Sequence, residues 1–148
     1  MQANADMGDH DFKYCLLPFS GSIQSAGIVR EGFNFNRPLT FSKISSASPE
    51  ALHADNPFLS LTSESVVIDT VKRAEDEEGV LVVRLYESFG GQTNCHLDTS
   101  FEIKSACISN ILEQDTETLE ITRNERGGYR TSPIHFTPFT VRTVKLVL

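Results

Sequence analysis

Hydrophobic and polar positions alternate with a period of two along most of this chain, and helical spacing is confined to one stretch. His10, Phe12, Tyr14 and Leu16 share one face, while Asp11, Lys13, Cys15 and Leu17 share the other. That pattern predicts a strand, with Phe12, Tyr14 and Leu16 in the core, ended by Pro18 and "SGS". In residues 22–36, "SIQSAGIVREGFNFN", Ile23, Ala26 and Val29 allow a helix. Gly27 and Gly32 limit it to a helical turn or two. "RPL" then returns the chain to an extended state, and residues 42–57, rich in Ser, Ala, Pro and Asp, predict a loop or insertion.

The second half reads as β throughout. In "VVIDTVKR", Val67, Asp69, Val71 and Arg73 face one way and Val66, Ile68, Thr70 and Lys72 the other. "EDEEG", residues 75–79, is a hairpin turn. "VLVVRLYES" is apolar on both faces, the mark of a strand near a sheet centre. "CHLDTSFEI" sends Cys95, Leu97, Thr99, Phe101 and Ile103 inward as one strand, with His96 on its polar face. "ACISNIL" and "TLEIT" are two further strands, "NERGG" at 124–128 is a turn, and Pro138 divides the two closing strands. Strands separated by turns at roughly 8–12-residue spacing predict an all-β, antiparallel β-sandwich with at most one or two short helical turns. We read residues 1–148 as a single sandwich domain.

Composition narrows the function classes. The net charge is −7, and no basic stripe offsets it, which argues against a nucleic-acid surface. No apolar run approaches the roughly 20 residues needed to span a bilayer, so no membrane partner is expected. The N-terminus lacks the apolar region of a signal peptide. The three cysteines, Cys15, Cys95 and Cys107, are odd in number and lack metal-site spacing. A reducing, cytoplasmic setting is the expectation.

Candidate chemistry is sparse. Asp9, His10 and Asp11 suggest a metal or acid/base cluster, but alternation along a strand sends His10 away from both carboxylates. His10, His53, His96 and His135 are scattered, without the spacing of a zinc helix. Asp69 and Glu87 lie within strands, where Lys72, Arg73 or Arg84 could neutralise them. Glu75–Glu78 form a turn tip, a poor place for preorganised catalysis. No serine sits in a nucleophile-elbow pattern. The residues alone assign no catalytic group and no metal ligand.

Three stretches carry a resemblance. Ala5, Asp6, Gly8, His10, Phe12, Tyr14, Leu16, Pro18 and Gly21, then Ala26, Gly27, Asn36, Pro38 and Leu39, follow one pattern. It is A-D-x-G-x-H-x-F-x-Y-x-L-x-P-H-x-G, continued by A-G and L-N-x-P-L. It is similar to a segment near the C-terminus of family 38 glycoside hydrolases, the α-mannosidases, closest to their cytosolic and bacterial branch. "VVIDTVKRAEDEEGVLVVRLYESFGG" and the closing "FTPFTVRT" resemble later segments of that family, in the same order. Phe19 stands where the family usually has His, and Asp69 where Glu is common.

The resemblance implies a supersandwich-like C-terminal β-domain of a retaining α-mannosidase, with no catalytic residue in this chain. The parent enzyme would cleave terminal α-mannosides in mannose or oligosaccharide catabolism. The chain alone would be inactive. Its partners would be the catalytic α/β and helical domains of the same polypeptide and, through them, a mannoside. Zinc would belong to the catalytic domain and no cofactor to this fragment. The sandwich would pack against the catalytic domain and lend a loop to the substrate cleft. His10 and Asn36 are the residues expected to face the rest of the enzyme. Two alternatives stay open: a stand-alone carbohydrate-binding module, which the absence of Trp disfavours, and an adhesion or assembly domain.

Overall fold

In a computed structural model of the chain, residues 7–41, 43 and 57–148 are described. Among these residues one helix, α1 (Ile28–Asn36), precedes eleven strands. They are β1 (Leu59–Leu61), β2 (Val66–Arg73), β3 (Val80–Glu87), β4 (Thr93–Cys95), β5 (Leu97–Thr99) and β6 (Ser105–Ser109). β7 (Asp115–Leu119), β8 (Ile121–Arg123), β9 (Tyr129–Thr131), β10 (Ile134–Phe136) and β11 (Val141–Val147) complete the order.

Every strand pair is antiparallel. A five-stranded sheet runs β2-β3-β11-β6-β7, a four-stranded sheet runs β1-β5-β9-β8, and β10 pairs with β4. One core joins all three sheets. Val83, Leu85, Val144 and Leu146 come from the larger sheet and Leu97 from the smaller, with Cys95, Ile134 and Phe136 from the β4–β10 pair. The expected β-sandwich is therefore what forms, and β3 and β11 lie inside its larger sheet.

The inward run Cys95, Leu97, Thr99 and Ile103 is buried as expected, but it is not one strand. The chain changes sheets at His96, so β4 and β5 belong to different sheets. His96 is half-buried at the crossing, and its Nδ1 lies 2.8 Å from the Thr131 carbonyl. A carbonyl only accepts, so Nδ1 carries the proton. "TLEIT" divides in the same way at Glu120, between β7 and β8. Ile111 and Leu112, placed at the end of a strand from sequence, lie exposed in the turn between β6 and β7.

Two turns have residue-level causes. Asn124 organises the 124–128 turn: its Oδ1 accepts from the Arg126 and Gly128 N–H groups, and its Nδ2 donates to the Thr99 and Tyr129 carbonyls. Gly128 presses on β5 so closely that a Cβ there would lie 1.8 Å from the Thr99 carbonyl oxygen. Beside it, Asp98 and Arg130 face each other across β5 and β9 in a bidentate pair at 2.7 and 2.8 Å.

The N-terminal stretch departs from expectation. Residues 7–21 form no strand, and Phe12, Tyr14 and Leu16 are 82%, 80% and 87% exposed. The expectation of core positions there is corrected. Alternation marks which face needs cover, and nothing in the described chain supplies it. Within residues 22–36 only Ile28–Asn36 form the nine-residue α1, longer than a turn or two and started by Gly27 at φ 62°. No residue of α1 is fully buried. Arg37 moors its end to β2: the guanidinium donates to the Asp69 carbonyl and lies over the Phe33 ring. The loop expected at 42–57 lies outside the described residues, apart from positions 43 and 57.

Candidate functional site

Two groups of buried charge stand out from the sandwich. The first is Glu87, the last residue of β3, which pairs with Val66 on the core side and is completely buried. Among the described residues no cation neutralises it, which corrects the expectation of an arginine or lysine partner. Its carboxylate instead accepts three backbone N–H bonds, from Phe89 at 2.9 Å, Gly90 at 2.9 Å and Phe139 at 3.0 Å. Burial pushes the carboxyl pKa up. The amides of Phe139, Phe89, Gly90 and Gly91 outweigh that and hold it below the ordinary carboxylate value. Asp69, the other carboxylate expected to pair within its sheet, lies 3.7 Å from Arg37 and accepts from the Thr70 hydroxyl at 2.7 Å.

Glu87 thereby fastens the turn after β3 to the turn before β11. Phe139 is held there in the left-handed region, at φ 57°, with its ring against Gly90. A Cβ at Gly90 would lie 2.7 Å from that ring. Phe139 remains 62% exposed, a rigidly held aromatic at a loop tip. An ionised carboxylate saturated by amide donors has neither a proton to give nor a free lone pair aimed at solvent. Its role is that of a clamp.

The second group covers the outer face of the larger sheet. Alternation along β11 places Lys145 on that face, yet it is only 3% exposed. The turns at 75–79 and 110–114 close over it. Its Nζ is bonded to the Glu77 carboxylate, to Asp115 at 2.8 Å and to the Glu113 carbonyl at 3.2 Å. Lys72 extends the network, 2.6 Å from the Glu113 carboxylate. Asp115 and then Glu77 raise the Lys145 pKa, while Lys145 and then Cys107 lower that of Asp115. Burial, and then Asp115, push the Cys107 thiol up to about 11. A lysine held charged cannot act as a base, and a thiol held protonated is a poor nucleophile. These shifts come from a structural ion network, the ordinary alternative to an active site.

The residues singled out from sequence lie elsewhere. Asp9, His10 and Asp11 are all exposed in the extended stretch before α1. Asn36 ends α1, exposed, with its side-chain amide donating to the Gly32 carbonyl at 2.8 Å. His135 meets Asn94 across β10 and β4 at 3.1 Å, and His53 lies outside the described residues. Among the described residues no group of three or more His, Cys, Asp or Glu could hold a metal ion, so they do not fit a zinc site. A depression of about 150 Å³ between α1 and the start of β2 is lined by Gln24, Val29, Arg30, Glu64, Val67 and Phe89. That is smaller than the roughly 300 Å³ at which ligand pockets begin, and the larger depressions, about 660 Å³ beside the 75–79 turn and about 550 Å³ beside β6 and β11, are open to solvent.

Sequence reasoning missed the Glu87 clamp, the covered Lys145 and the left-handed Phe139. The only trace of the first was a buried-face glutamate followed by two glycines, "ESFGG". No helix among the described residues is long and apolar enough to cross a membrane.

Comparison with known proteins places this geometry. Residues 65–144, more than half of the chain, match the model of the glycosyl hydrolases family 38 C-terminal beta sandwich domain. Alpha-mannosidase 2C1 of Mus musculus is 36% identical over 148 residues, covering 99% of this chain and 14% of that protein. Alpha-mannosidase G of Dictyostelium discoideum is 33% identical over 145 residues, 96% of this chain and 13% of its own. A yeast alpha-mannosidase, from Saccharomyces cerevisiae, is 28% identical over 159 residues, with 97% and 14% covered. The chain thus spans about one-seventh of the relatives it matches. With antiparallel sheets around one core over the matched residues, the chain belongs to the family of C-terminal β-sandwich domains of family 38 glycosyl hydrolases.

Proposed function

We propose that residues 1–148 serve as the C-terminal β-domain of a retaining α-mannosidase of the cytosolic and bacterial branch. The observation that carries this reading is the similarity to several α-mannosidases along nearly the whole chain. The parent reaction is hydrolysis of terminal α-mannosides by two carboxylates, one as nucleophile and one as acid/base, through a glycosyl-enzyme intermediate. Neither carboxylate is assigned to this chain. Zinc, in this reading, belongs to the catalytic part of the longer polypeptide, and no step here is routed through it. The partners are the catalytic α/β and helical domains in the same polypeptide, in the cytoplasm.

The sandwich then works by packing. His10 and Asn36 face the rest of the enzyme, and a loop of this domain reaches the substrate cleft. The test is hydrolysis of 4-nitrophenyl α-mannoside by the complete polypeptide and by this chain. Hydrolysis by the complete polypeptide alone is the expected result. A complete polypeptide that cleaves no α-mannoside, or a 148-residue chain that cleaves one itself, overturns the reading.

A further inference from the structure

We infer that residues 10–17 are a β-strand of the preceding part of the longer polypeptide, added to an open sheet edge there. Phe12, Tyr14 and Leu16 would be its buried face. The inference rests on the proposed function for the existence of that neighbour, and goes beyond it in naming the pairing mode. Three observations carry it.

The first is the mismatch between pattern and burial. His10, Phe12, Tyr14 and Leu16 alternate with Asp11, Lys13, Cys15 and Leu17 as an amphipathic strand does, yet the three apolar members are at least 80% exposed. After α1 the same happens on a smaller scale, with Leu39 and Phe41 alternating and almost fully exposed. A contiguous apolar strip of this kind marks an interaction surface.

The second is that the sandwich's own edges do not suit it. The larger sheet ends in β2 and β7. β2 is bulged between Ile68 and Thr70, and the Asp69 carbonyl there is taken by Arg37. β7 carries Asp115 and Glu117, which repel a stretch bearing Asp9 and Asp11. The smaller sheet ends in β1 and β8, and the third sheet is only β4 and β10, all of three residues each. Bulges, charge and shortness are the ordinary defences of an edge. A second copy of the chain offers the same defended edges and the same net charge of −7.

The third is the extent of the matches. The family model covers 65–144 and does not reach the stretch, while the α-mannosidases align across nearly the whole chain. The stretch is thus shared with those proteins without being part of this domain's sheets, and most of their length lies outside the aligned region. A neighbour in the same polypeptide needs little intrinsic affinity, because the linkage keeps it at high effective concentration. Strand addition supplies cover for alternate side chains, which Phe12, Tyr14 and Leu16 need.

Hydrogen–deuterium exchange of residues 10–17 tests this, in the complete polypeptide and in the 148-residue chain. The expected result is exchange at least roughly 100-fold slower in the complete polypeptide, with near-coil rates in the chain alone. Equal, fast exchange in both overturns the inference and leaves the α-mannosidase reading intact if the complete polypeptide is active. Protection in the chain alone, with a dimer's mass by light scattering, assigns the strand to a second copy and also overturns it. Leu16→Asp in the complete polypeptide should accelerate exchange across the stretch while Lys13→Asp leaves it unchanged. Equal effects would contradict the assignment of faces.

Discussion

Residues 10–17 and residues 80–87 are both eight-residue stretches with strand patterning, and they meet opposite fates. β3 has β2 on one side and β11 on the other, and Val83 and Leu85 are fully buried. The earlier stretch has no ladder, and its large apolar residues face water. A strand is thus a relation between segments. The side-chain pattern supplies half of it and the partner supplies the rest.

Breaking that contrast begins with the core. Phe136→Ala should cost the sandwich about 3–5 kcal/mol in urea unfolding, because it leaves a cavity among residues of all three sheets. Phe12→Ala should change the stability of the same chain by less than about 0.5 kcal/mol, since its ring touches mainly solvent.

The covered ion network comes next. Glu77→Gln together with Asp115→Asn strands a buried ammonium and should cost about 3 kcal/mol. Lys145→Met removes the charge and lets both half-exposed carboxylates rehydrate, so it should stay within about 1 kcal/mol of the parent. The Lys145 pKa is raised by folding. Its contribution is therefore complete below the ordinary lysine value of about 10.4 and is lost as pH rises through the raised value.

Glu87→Gln should cost about 2 kcal/mol, because an amide offers one acceptor oxygen, less basic than the carboxylate, to three backbone donors. The Glu87 pKa is lowered by folding. Its contribution is present above the ordinary carboxylate value of about 4.3 and is lost as pH falls through the lowered one. Urea midpoints of parent and Glu87→Gln chains measured down the acid limb should therefore converge.

The smallest effect is on reactivity. In the native chain at pH 8, Cys15, exposed before α1, should react first with a thiol reagent. Cys107, with its pKa at about 11, should lag far behind, and fully buried Cys95 should react last. Equal rates at Cys15 and Cys107 would mean that the outer face of the larger sheet is not closed.

Local rules made much of the sandwich legible. The turns at 75–79 and 124–128, the buried character of β3 and the break at Pro138 each follow from a few adjacent residues. The sheet changes at His96 and Glu120 were hidden because the in–out alternation continues across the first and the second costs one residue. Lys145 looked solvent-facing because its cover comes from turns remote in sequence. Glu87 looked like half of an ion pair because backbone donors leave no mark on side-chain pattern. Of the proposed outward-facing residues, His10 was legible only through a resemblance, and Asn36 likewise.

On this view the sandwich folds by itself while the N-terminal stretch waits for a partner. Thermal unfolding of residues 57–148 beside the 148-residue chain tests it most directly. A cooperative transition within about 3 °C of the longer chain's Tm is predicted, since removing α1 and its Arg37 contacts forfeits well under 1 kcal/mol at exposed sites. Loss of cooperativity, or a fall in Tm above about 10 °C, would contradict it by making the stretch part of the fold.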